Sequence, residues 1–391
     1  MIGLTGIRAV DGNRIALLKN GAEFFPALIA AIDGAESDVR IETYIFRDDR
    51  SGKAVAEALA RAAQRGVAVR VMVDGVGSHE TPVDFLDSLA RAGVHLLVYR
   101  PERRRFHLSR MRLRRNHRKI ALVDGQIGFV GGINIIDDLN GSLSPYPRYD
   151  YSVRIEGPVL ASLYPVVHST WRNVALRDWQ IRDLHDPPIQ VPATPAGEQR
   201  AEFVIRDNLR FRRSIEKHYR EAIIAARERV LIVCPYFLPG RGFRRVLIKA
   251  ARRGIRVTIL LQGRADHPLL QLATRALYAR LLSEGIVIAE YQRSMLHGKV
   301  ATIDDRWATV GSSNLDPFSL FLNREANIVV WDAEFARTLR DSVEKEIESG
   351  ALICERAAWE RRPLWERVKC WLAFGIARWA AGLVGYSRYW Q

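Results

Sequence analysis

One half of this chain repeats the other, and a duplicated unit leaves few ways to fold. In the first half, residues 25–32 have helical periodicity and lead into an extended stretch at 39–46. A second helical pattern closes at Gly66, followed by a strand at 67–73 and the turn Asp74-Gly75. In the second half, residues 215–226 lead into 230–236. The next helix closes at Gly254, then come a strand at 255–261 and Gln262-Gly263. Gly66 and Gly254 stand where a helix gives way to a strand, the usual place of a C-cap glycine. A third helix and strand follow in each copy: 84–92 into 94–99, and 269–283 into 286–291. Helices alternating with β-branched strands predict an α/β fold: two homologous lobes, each a mixed, largely buried sheet flanked by helices. The expected lobes are 1–182 and 201–348. Prolines between 186 and 195 make 183–200 a connector, and 349–391 is a basic, tryptophan-rich tail.

At matching points of the two copies stands the same constellation. The first is His117-Arg118-Lys119, then Asp124, then Gly131, Gly132 and Asn134. The second is His297-Gly298-Lys299, then Asp304, then Gly311, Ser312 and Asn314. The spacing from His to Asn is identical. One such pattern is weak evidence; two at equivalent points of a repeat are strong.

Residues 117–123 read as a strand, so His117 and Lys119 share a face, and Asp124-Gly125 reads as a hairpin turn. If the lobes pack about a pseudo-twofold axis, each delivers a His, a Lys and an Asn to one cleft. Two imidazoles across a phosphodiester suit double displacement: one forms a phosphohistidine, the other protonates the leaving alcohol and deprotonates the incoming one. Lys119 and Lys299 would stabilise charge on phosphorus, with Asn134, Asn314 and Ser312 donating hydrogen bonds. No metal or cofactor is expected. Asp124 and Asp304 sit in turns, where Asp commonly binds local backbone, so both catalytic and structural roles stay open. Gly131, Gly132 and Gly311 serve backbone geometry. Asp150 and Glu325, each downstream of its Asn, are placed to orient an imidazole through its second nitrogen.

Charge narrows the partners. Against 44 Asp+Glu stand 59 Lys+Arg, a formal net charge of +15, which favours anionic lipid or nucleic acid. Arginines crowd the approach to His117: Arg100, Arg103, Arg104, Arg105, Arg110, Arg112, Arg114 and Arg115. Of these, Arg103, Arg104, Arg105, Arg112, Arg114 and Arg115 are candidates to hold a lipid headgroup. Cys234, Cys354 and Cys370 form no metal or disulfide pattern, which fits a reducing, cytoplasm-facing setting. No signal peptide or spanning stretch is evident. The tail carries Trp359, Trp365, Trp371, Trp379 and Trp390 among arginines and lysines. It reads as a helix lying in a bilayer interface; the alternative is a helix packed on the protein's own body.

The two triplets resemble the paired HKD motifs of the phospholipase D superfamily. Residues 41–46, 74–78, 116–120, 154–158, 296–299, 307–317 and 322–327 are similar to bacterial cardiolipin synthases, of the short B-type branch that lacks amino-terminal spans. The resemblance implies transfer of a phosphatidyl group from one phosphatidylglycerol to another, giving cardiolipin and glycerol. It also implies a peripheral protein on the cytoplasmic face of the bacterial inner membrane, and His117 as the nucleophile, which the residues alone leave undecided. The implied partners are phosphatidylglycerol and the membrane surface rather than nucleic acid; no oligomeric state follows. Gly132 departs from the family pattern, which usually has Ser, so the cleft should be asymmetric. A hydrolytic phospholipase D or a nuclease would use the same motif; the clustered tryptophans favour lipid.

Overall fold

In the computed structural model, residues 8–101, 114–140, 145–178, 189–207, 211–264, 267–317, 319 and 322–383 are described. The repeat appears as two matched sets of seven strands. The first set is β1 (Val10–Lys19), β2 (Asp38–Thr43), β3 (Ala68–Asp74), β4 (His95–Tyr99), β5 (Ile120–Val123), β6 (Ile127–Gly131) and β7 (Tyr151–Glu156). The second is β8 (Gln199–Arg206), β9 (Arg229–Val233), β10 (Arg256–Gln262), β11 (Val287–Tyr291), β12 (Val300–Ile303), β13 (Trp307–Gly311) and β14 (Glu325–Trp331), with a short β15 (Ala351–Ile353) beyond them.

All join one sheet in the order β15-β11-β10-β9-β12-β13-β14-β8-β1-β7-β6-β5-β2-β3-β4. Leaving out β15, the order reads the same from either end, and β1 meets its counterpart β8 antiparallel, as a twofold relation requires. β2-β3-β4 and β9-β10-β11 are parallel and the remaining pairs antiparallel, the mixed sheet expected.

Local signals account for the helix ends. Gly66 and Gly254 have φ of 88° and 86°, a conformation that costs glycine little. The N–H groups of Val67 and Ile255 reach back to Ala62 and Ala250 C=O, closing a Schellman motif at each site. The expected helix at 269–283 is instead two, Pro268–Arg275 and Tyr278–Ser283. β1 and β8, which weld the halves, were not expected, because neither alternates cleanly between buried and exposed positions.

Three large apolar clusters form. One belongs to each half, and a third draws on both, with Ile15, Leu122, Tyr149, Tyr151 and Leu163 beside Phe203, Leu231, Val300, Ile328 and Leu339. The halves are therefore fixed to one another by shared core rather than tethered by the connector.

The tail packs on the protein's own body and leaves a second apolar stripe exposed. Its long helix, Leu364–Leu383, buries Cys370, Ala373, Phe374, Ala377 and Ala381, most of them against the core of the second half. Leu364, Trp365, Val368, Trp371, Leu372, Ile376 and Trp379 stay exposed. At about 100° per residue these two stripes face opposite ways. No described helix is long and apolar enough to cross a membrane.

Candidate active site

Each motif hairpin turns through two residues of positive φ, Asp124-Gly125 between β5 and β6 and Asp304-Asp305 between β12 and β13, as a type I′ turn demands. Asp124 also accepts from the N–H groups of Glu36, Ser37 and Asp38, each at 2.8 Å. Asp304 accepts from those of Arg227, Glu228 and Arg229 at 2.7, 2.8 and 2.9 Å. Each carboxylate ties the hairpin to the start of the neighbouring strand, β2 or β9. The catalytic reading of Asp124 and Asp304 is thus corrected. Seven residues of near-extended chain, about 20 Å, separate each from its histidine.

At the opposite end of the hairpins the chain crosses between halves. Asn116 bridges Arg324 and Leu296 bridges Tyr149, both in parallel register. His117 N–H donates to Arg324 C=O at 3.0 Å, and His297 N–H to Tyr149 C=O at 2.7 Å. Each histidine is thereby set beside the carboxylate of the other half. His117 Nδ1 lies 3.1 Å from Glu325 Oε2, and His297 Nδ1 2.5 Å from Asp150 Oδ2. The two carboxylates hold equivalent positions, since Gly132 N–H pairs with Tyr151 C=O and Ser312 N–H with Ala326 C=O. A carboxylate accepting from Nδ1–H leaves the Nε2 lone pair for chemistry.

The lysines are buried, and each Nζ donates to the carbonyl of the histidine two residues before it. Burial lowers His117 below the ordinary histidine range; Glu325 opposes this, while Lys119 and Lys299 add to it. His297 is lowered too, by burial and then by Lys299, against the pull of Asp150. Burial brings Lys119 down to about 7, with Glu325 opposing and Lys299 assisting. Lys299 of the second half therefore acts on both His117 and Lys119 of the first, so the charged groups of the two copies lie near one another. Burial would raise Asp150, but His297, Lys299 and the Tyr151 N–H outweigh it and keep the carboxyl below its usual range.

The supporting groups differ between halves. Asn134 Oδ1 accepts from Ile45 N–H at 3.1 Å, which leaves its NH₂ as the group to offer a phosphate. Asn314 Oδ1 lies 3.9 Å from the Cys234 thiol. Ser312 Oγ donates to Glu325 Oε2 at 2.5 Å and accepts from Ala326 N–H, so its proton serves the carboxylate that orients His117. At Gly132 an added Cβ would come within 2.2 Å of Asp150 Oδ1, so the departure at this position makes room for the shorter carboxylate of the first half.

Arg115 is corrected as well. It is buried, and its Nε and Nη2 donate to Asp74 Oδ1 at 2.8 and 2.7 Å, while Asp74 Oδ2 accepts from Asn116 N–H. It anchors the approach to His117 and does not face a headgroup. Arg114 is half-buried, and its carbonyl accepts from Arg100. Arg103, Arg104, Arg105 and Arg112 lie outside the described residues.

Sequence reasoning passed over Tyr44. Its ring meets His117 edge-on at 4.9 Å and lies 5.3 Å from Lys119 Nζ. Burial, assisted by Asp74, raises the phenol to about 12, so it stays a neutral donor. Its place within the predicted extended stretch 39–46 was the available signal. Arg118 was passed over too; it points away from the cleft, buried 4.0 Å from Glu42.

A twofold α/β sheet with a His/Lys pair from each copy at its junction defines a phospholipase D-like protein. The family model described as "Cardiolipin synthase, PLD-like domain" matches residues 28–161 and 219–347, one stretch in each half. Cardiolipin synthase B of Escherichia coli K12 is 39% identical over 96% of this chain and 90% of its own length. Cardiolipin synthase A of Pseudomonas putida is 34% identical over 86% and 68%. Among solved structures, the phosphatidylserine synthase of Haemophilus influenzae covers 95% of this chain, and is itself covered over 94%, with a TM-score of 0.70 at 15% identity, a likeness of fold. The chain belongs to the PLD-like cardiolipin synthase family.

The two kinds of carboxylate separate by experiment. Asp124→Ala removes several charge-assisted hydrogen bonds and should cost about 2–3 kcal/mol of stability, read as a lower Tm, while the folded fraction keeps its kcat within about twofold. Glu325→Gln should leave Tm nearly unchanged and lower kcat by about 100-fold or more.

Proposed function

We propose that the protein is a cardiolipin synthase that moves a phosphatidyl group from one phosphatidylglycerol to the hydroxyl of a second. The observation that carries this reading is the pairing of each imidazole Nδ1 with a carboxylate of the opposite half. It leaves two oriented Nε2 atoms for one phosphodiester. In the first step His117 Nε2 attacks phosphorus. The P–O bond to the glycerol headgroup breaks, and His297, which takes a proton from water on Nε2 as the anionic substrate binds, passes it to the departing alkoxide, giving glycerol and a phosphohistidine. In the second step His297 removes the proton from the hydroxyl of the incoming phosphatidylglycerol. That oxygen bonds to phosphorus, the P–N bond breaks, and cardiolipin leaves with His117 restored.

Lys119 and Lys299 offset the charge that builds on the phosphoryl oxygens, and the amides of Asn134 and Asn314 donate to them. Glu325 and Asp150 are positioning residues, each holding its imidazole in the productive tautomer. The chain works as a peripheral protein on the cytoplasmic face of the inner membrane, resting there through the exposed tryptophans of its last described helix, with Arg114 contributing to headgroup binding. Its partners are phosphatidylglycerol and the bilayer, and it needs no metal or cofactor.

Incubation with labelled phosphatidylglycerol and thin-layer analysis tests this directly. Cardiolipin and glycerol are expected in equal amounts. Phosphatidic acid as the sole lipid product would establish hydrolysis instead. His117→Ala and His297→Ala should each lower turnover more than about 1,000-fold.

The pH dependence follows from the directions above. Burial holds the His117 imidazole below the usual histidine range, so the nucleophile is neutral at pH 7. Lys119 is mostly protonated below about 7 and loses its charge above. The plot of kcat/KM against pH should therefore fall as pH rises through about 7. Lys119→Arg, charged throughout, should abolish that limb even where its activity is low.

A further inference from the structure

Positive charge concentrates at a second place, away from the histidines. The helix Arg241–Arg252 follows β9, and its first residues include Arg241, Arg244 and Arg245. A helix N-terminus already carries positive charge from its unpaired N–H groups, and acidic residues are favoured there. This first turn has no acidic residue and no side-chain cap. Arg280, from the helix Tyr278–Ser283, adds a fourth guanidinium. Among the described residues no carboxylate pairs with Arg241 or Arg245; Arg280 is shared with Glu284 at 2.7 Å. Such an arrangement costs self-repulsion that a bound anion would relieve.

The four arginines line a pocket of about 310 Å³ with Ile248, Leu277 and Leu281. A phosphate with an acyl-bearing stem suits cationic walls over an apolar floor; a free anion uses only the walls. The surroundings agree. Arg244 lies 6.0 Å from the ring of Phe374, on the body face of the helix Leu364–Leu383, whose other face exposes Trp365, Trp371 and Trp379. In the other direction, Val233 of β9 pairs with Val300, so the arginine helix starts beyond the same end of β9 that neighbours His297. The pocket thus lies between the apolar helix face and the catalytic end of the second half.

We propose that this pocket is a second, non-catalytic seat for the phosphate of an anionic bilayer phospholipid, fixing how the protein sits on the membrane. The proposal rests on the reading that the chain acts at a bilayer. Occupied, the pocket pins the second half to the lipid surface while the tryptophan face enters it, so the cleft meets its substrate in a set orientation. A zwitterionic lipid fits it poorly, since its ammonium would meet four guanidinium groups.

The test uses the full chain in a His117→Ala background, so that vesicle composition stays constant. Binding to vesicles of equal phosphatidylglycerol and phosphatidylcholine is measured by flotation. Arg241→Ala/Arg245→Ala should weaken binding by about 30-fold, about fivefold for each charge. The R241K/R245K variant keeps the charge and should lose much less, which separates a binding defect from a folding defect. An R200A/R337A control removes two exposed charges elsewhere and should change binding by less than about threefold.

Equal weakening by the alanine pair and the control would overturn the pocket while leaving the membrane reading intact. If the parent chain fails to bind phosphatidylglycerol vesicles at all, the membrane reading itself fails. If the parent chain bound inorganic phosphate and the alanine pair did not, while the alanine pair bound vesicles as well as the parent, the pocket would be a free-phosphate site and the proposal would be overturned.

Discussion

The structure turns on an exchange between its two halves. Backbone hydrogen bonds from His117 to Arg324 and from His297 to Tyr149 place each imidazole against a carboxylate from the other copy. Neither half holds a complete site, since the acid that orients its histidine belongs to its counterpart. The twofold sheet, the common core and the β1–β8 junction all serve to hold that exchange in register. A buried imidazole needs such a partner, because desolvation alone would leave its tautomer undetermined and its Nδ1 unpaired. The nearby lysines then sit where burial weakens their charge.

Symmetry of fold has not kept the chemistry symmetric. The second half pairs Ser312 with the longer Glu325; the first pairs Gly132 with the shorter Asp150, and the close approach at Gly132 excludes a side chain. His117 thus has a carboxylate that also accepts from a serine hydroxyl, whereas Asp150 is bound by His297 and the Tyr151 N–H. Behind the first motif lie Arg118 and Glu42, where the strand registers put Gly298 and Val233 in the second half. Two copies of one unit have become chemically distinct.

Much of this was legible in the residues. The repeat, the glycine-capped helices and the motif hairpins each rest on local rules, and local rules survive folding. The His-Lys spacing located the cleft, because alternate residues of a strand share a face. The crossing of carboxylates was not legible. Periodicity reports what lies along a strand and is silent on which copy the strand docks against. Asp124 and Asp304 looked like motif members because they are invariant in spacing; that spacing is set by a turn needing positive φ and by N–H groups of the next strand. Arg115 looked like part of a basic surface because composition counts charges without regard to Asp74, which lies 41 residues earlier. The tail offered two apolar stripes in one helix, and only packing shows that one is used and the other left bare.

The most direct test of the central claim is the ¹⁵N spectrum of the histidine side chains. With the exchange as described, His117 and His297 each direct an Nδ1–H at the carboxylate of the other half. Glu325→Gln should then shift the His117 Nδ1 resonance and spare His297, and Asp150→Asn should do the reverse. If Glu325→Gln perturbed His297 and left His117 unchanged, each carboxylate would serve the histidine of its own half, and the account would be contradicted.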